Sequence, residues 1–338
     1  MAPHVLADAS TARLISLDSG VAMVVTDLHG DWPLYQHIRD LFLKLHRRGL
    51  VHTWIITGDI IHSEGPADRD QSLAIVLDLI KLEQALGEDL VVLLGNHEMP
   101  HIYHVPLAKG DTVFTPRFER EMGTHRDAIL AFFRRCPFFV RTAAGVTICH
   151  AGGFPEAGDA TAMATLLTYS HEGLLDGVNA ELATTYRPAL RAAIAETTGV
   201  PYRKLAKDYL AIEDPTDPRY DDYLIGILAG YQDDFKLLWS MLFSQNEHDV
   251  GMAAYADQVS ALLRALSDNY RPQRVLVSGH IGADDGYSIL AQGQHLRVAS
   301  GAHAHPYTSA RYLIFDAAVP VAGADDLRPG LLRIFGDE

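Results

Sequence analysis

One repetition constrains this chain more than any other feature: five short apolar runs each stop on residues able to hold a metal ion. They are VAMVVTDLHG, stopping at Asp27 and His29; TWIITGD, at Asp59; DLVVLLGNHE, at Asn96 and His97; GVTICHAGG, at His150; and RVLVSGH, at His280. Runs of Val, Ile and Leu bounded by glycine or polar residues read as buried strands. In open α/β sheets, ligands collect just beyond the carboxyl ends of such strands. The pattern therefore predicts that oxygen and nitrogen donors as distant in the chain as Asp27 and His280 converge in space.

Cutting the chain anywhere between those two residues would divide the set. The expectation is therefore one catalytic domain over residues 1–338, although that length on average holds about two domains. After the first run, Asp31 is placed to cap a helix and Pro33 sits in its first turn. Leu34, Ile38, Leu41, Phe42 and Leu45 then recur at helical spacing, and Gly49 stands where the helix would end. The order strand, loop, helix repeats with a strand over 53–59, a loop holding Gly65 and Pro66, a helix around 69–86 and a strand over 90–95. Successive units of this kind build a parallel sheet with helical cover, which makes the fold class α/β. Residues 117–135 read as helix, FFVRTAAGVTICH as a hairpin turning at Ala143 to Gly145, 253–267 as helix, and 285–316 as two or three antiparallel strands. From about 155 to 235 the strand pattern gives way to Ala-rich helices and a Pro/Asp loop. That segment is expected to be a helical insertion near the site mouth.

A net charge of −15 argues against a nucleic-acid backbone or an anionic membrane as partner. No stretch approaches the roughly 18 apolar residues that a membrane helix needs, and MAPHVLADASTARL lacks the basic and apolar regions of a secretory signal. The two cysteines, Cys136 and Cys149, have no paired-ligand spacing and read as core thiols of a protein in a reducing cytoplasm.

Carboxylate, imidazole and amide oxygen suit Mn, Fe or Zn, and no thiolate biases the set toward a structural zinc. Asp27 and His29 offer two donors from one loop, while Asp59 has two oxygens with which to bridge two ions. Two dications about 3.5–4 Å apart hold a water between them, lower its pKa and clamp both the attacking and leaving oxygens of a phosphoryl displacement. They also outweigh Asp27, Asp59 and a bridging hydroxide by a single positive charge, so an acidic protein still offers phosphate a favourable pocket. The expected reaction is hydrolysis of a phosphoester, in a phosphorylated small molecule or a phosphoprotein, with the hydroxide as nucleophile. A phosphomonoester is the first substrate reading, and a dinucleoside polyphosphate or phosphodiester the alternative. A metal-binding regulatory pseudoenzyme is the reading from a different class.

DLHGD, GDII, GNHE, HAGG and SGH, in that order, together resemble the calcineurin-like metallophosphoesterases and, more narrowly, their phosphoprotein phosphatase branch. LLWS at Leu237 to Ser240 is similar to a further element of that branch, and the resemblance spans about residues 20–316. It implies a four-layer αββα sandwich. It also implies Asp27, His29 and Asp59 on one ion, and Asp59, Asn96, His150 and His280 on the other, with Asn96 facing substrate as well. His97 matches the histidine that protonates the leaving group.

The chain departs from the branch where the phosphate is gripped. In place of an aspartate that orients the catalytic histidine and an arginine that holds phosphate, it has His62 and Ser63. His62 reads as a replacement phosphate contact or as a solvent-exposed loop histidine. A later substrate arginine is also unmatched, and Met241 to Val250 offers Glu247 and His248 instead. The other branch of the family carries a second histidine, in G-H-x-H, where this chain has Gly282. Either His303 or His305, in GAHAHP, compensates for it, or both lie on a hairpin rim.

Overall fold

A computed structural model describes residues 12–335 except 64 and 245. The stretch inspected for a secretory signal thus lies, through residue 11, outside the described residues. The strands of the two main sheets are, along the chain, β1 (Leu14–Leu17), β2 (Val21–Val25), β3 (Thr53–Ile56), β4 (Leu90–Val92), β5 (Phe139–Thr142), β6 (Val146–Cys149), β7 (Val275–Ser278), β8 (Tyr287–Leu290), β9 (His295–Val298), β10 (Arg311–Asp316) and β11 (Leu331–Arg333). One sheet has the order β11-β10-β2-β3-β4, the other β1-β5-β6-β7-β9-β8. β2, β3 and β4 are parallel, as the repeated strand-loop-helix pattern requires, and so are β6 and β7.

Side-chain alternation explains the layers. Ala22, Val24, Ile55 and Val91 point from the first sheet into a core shared with Val140, Ile148, Val277 and Leu296 of the second. Their neighbours Met23, Val25, Trp54, Ile56 and Val92 face the other way, into a cluster with Leu34, Ile38, Phe42, Ile75 and Leu79. Those last residues belong to α1 (Trp32–Arg47) and α2 (Ser72–Leu86). On the outer face of the second sheet lies the helix Met252–Ser267, whose Val259, Leu262 and Leu266 are wholly buried. Helix, sheet, sheet, helix is the αββα sandwich.

Local signals held where they were strong. Asp31 caps α1 by accepting the Leu34 N–H at 3.0 Å, and β5 and β6 form the expected antiparallel hairpin. Two expectations need correction. The helix read over 117–135 is broken into α4 (Thr115–Met122) and α5 (Arg126–Arg135), because Gly123 takes a φ of +45° and stops the first. The strands of 285–316 divide between sheets. β8 and β9 pair in the second sheet, whereas β10 crosses to lie antiparallel to β2 in the first. Residues 160–231 form a run of helices interrupted at 211–221 by the Pro/Asp loop, with a small core of their own around Leu205, Leu210, Tyr220 and Leu224. Both cysteines are buried and free, and among the described residues no helix is long and apolar enough to cross a membrane.

Candidate metal centre

Every anticipated donor sits one to four residues beyond a strand: Asp27 and His29 after β2, Asp59 after β3, Asn96 after β4, His150 after β6 and His280 after β7. The chain must turn sharply there, and it does so without glycine at several donors. Asp27, His29, Asp59 and His280 have φ values of 48°, 43°, 50° and 67°. Left-handed backbone costs such residues on the order of 1–3 kcal/mol each, strain that surrounding structure must over-determine. Gly58 and Gly95 allow the turns to meet: a Cβ on Gly58 would lie 2.6 Å from Gly95 Cα. This backbone contact sets Asp59 beside Asn96.

Asp59 is central. Its Oδ1 is 3.6 Å from His150 Nε2 and its Oδ2 is 3.9 Å from His29 Nε2. The outer nitrogens of both rings are fixed, since His150 Nδ1 donates to the Thr57 carbonyl at 2.8 Å and His29 Nδ1 to that of Ile61 at 3.3 Å. Their Nε2 lone pairs therefore face inward. The Asn96 amide end lies 2.7 Å from His150 Nε2 and 3.0 Å from His280 Nδ1. Both oxygens of Asp27 accept the backbone N–H of His280, at 2.9 and 3.0 Å. Three overlapping groups result, each able to hold an ion: Asp27, His29 and His303; His29, Asp59 and His97; Asp59, His150 and His280. His303, expected only as a compensating histidine or a hairpin-rim residue, comes within 3.7 Å of Asp27 Oδ1.

The electrostatics fit a cation. Burial, then the charges of Glu98 and Asp27, push the Asp59 carboxyl well above the usual range. Burial and mutual repulsion hold the His97 and His280 imidazoles well below theirs, and burial takes His150 down to about 4. Neutral rings and crowded carboxylates are lone-pair donors of the kind that suit a divalent ion. Glu98, given no role by the sequence reading, braces this centre. It accepts the N–H groups of Asp59 (2.9 Å), Gly95 (3.1 Å), Ile60 (2.9 Å) and Ile61 (3.3 Å), tying the β3 and β4 loops together.

A cavity of about 220 Å³ opens over the centre. Asp59, Asn96, His280 and His303 form its floor; His97, Leu107, Ala108, Lys109, Phe114 and Phe243 form its walls. Residues 155–235, expected near the mouth, contribute nothing to this lining, and pack instead against α4 through the helix Tyr202–Leu210. His62 is not on the surface. It is wholly buried behind His97, with one ring nitrogen 3.2 Å from His97 Nδ1 and the other 2.9 Å from His101 Nε2. Both nitrogens are thus engaged away from the cavity, so the ring does not offer phosphate a contact there. Glu247 is held bidentately by Arg297 at 3.0 and 2.9 Å, and neither it nor His248 borders the cavity.

The profile of the calcineurin-like phosphoesterases matches residues 21–189, from β2 past His150. The chain belongs to that family, and is a phosphoric ester hydrolase. His280 lies outside the matched span and is delivered by β7. Among solved structures, the chain is similar to a protein serine/threonine phosphatase from Saccharomyces cerevisiae with similarity to human phosphatase PP5. The two share 14% identity over 87% of this chain and 72% of that one, with a TM-score of 0.44. It is also similar to the cold-active protein-tyrosine phosphatase of a psychrophile, Shewanella sp., at 14% identity over 91% and 78% of the two chains, with a TM-score of 0.41. No curated protein matches it in sequence.

Proposed function

We propose that the protein is a dinuclear metal-dependent phosphomonoesterase, built as one catalytic domain with residues 155–235 as an insertion. The observation that supports it most is the division of Asp59, one oxygen toward His150 and the other toward His29. A carboxylate so shared suits two ions side by side. Asp27, His29, Asp59 and His303 would hold one, and Asp59, Asn96, His150 and His280 the other. Bound there, Mn, Fe or Zn supplies Lewis acidity to phosphoryl oxygens and acidifies water.

His97 Nε2, 4.0 Å from Asp59 Oδ2, borders the same cavity floor. In hydrolysis a water oxygen bonds to phosphorus as the ester P–O bond breaks. His97 Nε2 takes up the proton released by the attacking water and hands it to the leaving oxygen. Ligand pockets usually enclose about 300–1,000 Å³, so a cavity of about 220 Å³ receives a terminal phosphoryl group and leaves most of the alcohol portion outside. Lys109 on its wall supplies positive charge where the wider branch uses arginine.

The test is a full-length sample loaded with Mn, assayed on p-nitrophenyl phosphate and on bis(p-nitrophenyl) phosphate, with metal content measured in parallel. Two ions per chain and faster turnover of the monoester are expected. A sample holding both ions that cleaves neither ester would remove the reading, and a preference for the diester would move it to phosphodiesters.

A further inference from the structure

The position where the wider branch places an aspartate against its catalytic histidine is filled here by a ring, and that ring leads to a second ring and then to a carboxylate. His97 Nδ1 is 3.2 Å from His62 Nδ1, His62 Nε2 is 2.9 Å from His101 Nε2, and His101 Nδ1 is 2.8 Å from Glu119 Oε1. We propose that His62, His101 and Glu119 form a buried hydrogen-bond relay that positions His97 and fixes which of its nitrogens carries the proton. The proposal rests on the reading of His97 as proton donor.

The direction of the relay follows from its far end. Glu119 Oε2 accepts from Arg126 Nε at 3.2 Å and from Arg219 Nη2 at 2.6 Å, while Arg219 also donates to Asp222 at 3.0 Å. Burial opposes ionisation of Glu119, but His101 and the two guanidinium groups outweigh it and hold the carboxyl well below the ordinary range. An ionised carboxylate only accepts, so His101 Nδ1–H must donate to it. Arg126 and Arg219 supply the counter-charges of Glu119 and Asp222, and the proposed relay takes His101 as its Nδ1–H tautomer, whose Nε2 accepts. His62 therefore donates from Nε2 and accepts at Nδ1, and His97 donates from Nδ1. The nitrogen of His97 left over is Nε2, which faces Asp59 and the cavity.

The elements are built for this. His97 and His101 stand four residues apart across the start of α3 (Met99–Tyr103), one helical turn. Glu119 belongs to α4. Phe114 stacks on the His62 ring at 5.4 Å between centroids and Phe118 meets it edge-on at 5.9 Å, so the ring has no freedom to turn and no water reaches it. The backbone N–H of His62 is itself held by Ser72 Oγ at 2.9 Å. A partner that fixes one imidazole nitrogen determines the tautomer and raises the basicity of the other.

Nitrogen-15 NMR of histidine-labelled, full-length, zinc-loaded protein tests the relay without any assay. Protons on Nδ1 of His97 and His101 and on Nε2 of His62 are expected. A proton on Nε2 of neutral His97, or a cationic His101, would overturn the assignment. Kinetics on phenyl phosphate supply the second arm. His62→Leu should lose roughly 10–100-fold in kcat, the range seen when a ligand-orienting partner is removed, with KM and metal content unchanged. His62→Asn, whose Oδ1 takes the place of Nδ1, should recover most of that loss, and 2,4-dinitrophenyl phosphate, whose leaving group needs no proton, should be insensitive to both changes. Equal losses for Leu and Asn, or equal losses on both esters, would count against the relay. A wild-type protein inactive on every ester would instead sink the hydrolase reading, and the NMR result would still decide the relay.

Discussion

The floor of the cavity and the wall behind His97 are built on opposite principles. On the floor, donors are carried by turns at strand ends, and the backbone itself is strained to aim them, as the positive φ of Asp27, His29, Asp59 and His280 records. Behind His97 the strained backbone is confined to His62, with a φ of 70°, while His101 and Glu119 stand on ordinary helix, and side chains from these separate elements reach across to one another through three rings and a carboxylate. The floor is specified by topology and tolerates little change. The wall is specified by side-chain chemistry, which is why a histidine replaces the aspartate of the wider branch and moves the negative charge two rings away.

The comparison makes a quantitative demand. Floor substitutions should remove the ions, and those at or behind His97 should leave ions in place and remove turnover. The largest effect is expected for Asp59→Asn, which deprives both donor sets of their shared carboxylate. Metal occupancy measured by elemental analysis should fall by more than the roughly 10–100-fold expected for a residue one step removed from an ion, and activity should fall with it. Next, His97→Ala should lower kcat by about 10²–10⁴, the usual contribution of a positioned acid, with both ions retained. Equal metal loss in the two variants would erase the distinction between floor and wall.

This difference also explains what could be read in advance. Strand ends announce themselves, since an apolar run that stops on DLHG or GNHE carries both the element and the donor in one short string, and a parallel sheet with helical cover follows from repeating it, whereas the second sheet was implied only by the family resemblance. His303 shows where that logic thins. It lies on no apolar run, only in the turn of GAHAHP, and reaches Asp27 because β10 crosses to the first sheet and draws the preceding loop with it. Glu98 was visible in GNHE, yet its task of gathering four amide protons depends on how closely the β3 and β4 loops approach. The partners of His62 were out of reach altogether. His101 stands 39 residues from it and Glu119 a further 18 along, with no periodicity to connect them.

His303 is the point at which the floor is open to a smaller perturbation. It joins only the set with Asp27 and His29, and so His303→Ala should weaken one ion by about 10-fold, the low end for an adjusted metal environment, while the other ion stays. A titration with Mn followed by elemental analysis should show the two sites parting in affinity. Parallel loss at both would mean that His303 supports the cavity and not one ion.

The smallest effect belongs to the cavity wall on the solvent side. Lys109 is exposed, in the short hairpin of Ala108–Lys109 against Thr112–Val113, and a charge in that setting is well screened. Lys109→Ala should therefore raise KM for a phosphomonoester by only about 3- to 5-fold, in keeping with an exposed ion pair worth up to about 1 kcal/mol. Metal content and kcat should not change, and the rise should shrink as salt is added. A fall in kcat with KM unmoved would place Lys109 against the transition state instead. The rebuilt grip on phosphate would then belong with the catalytic wall and not with its rim.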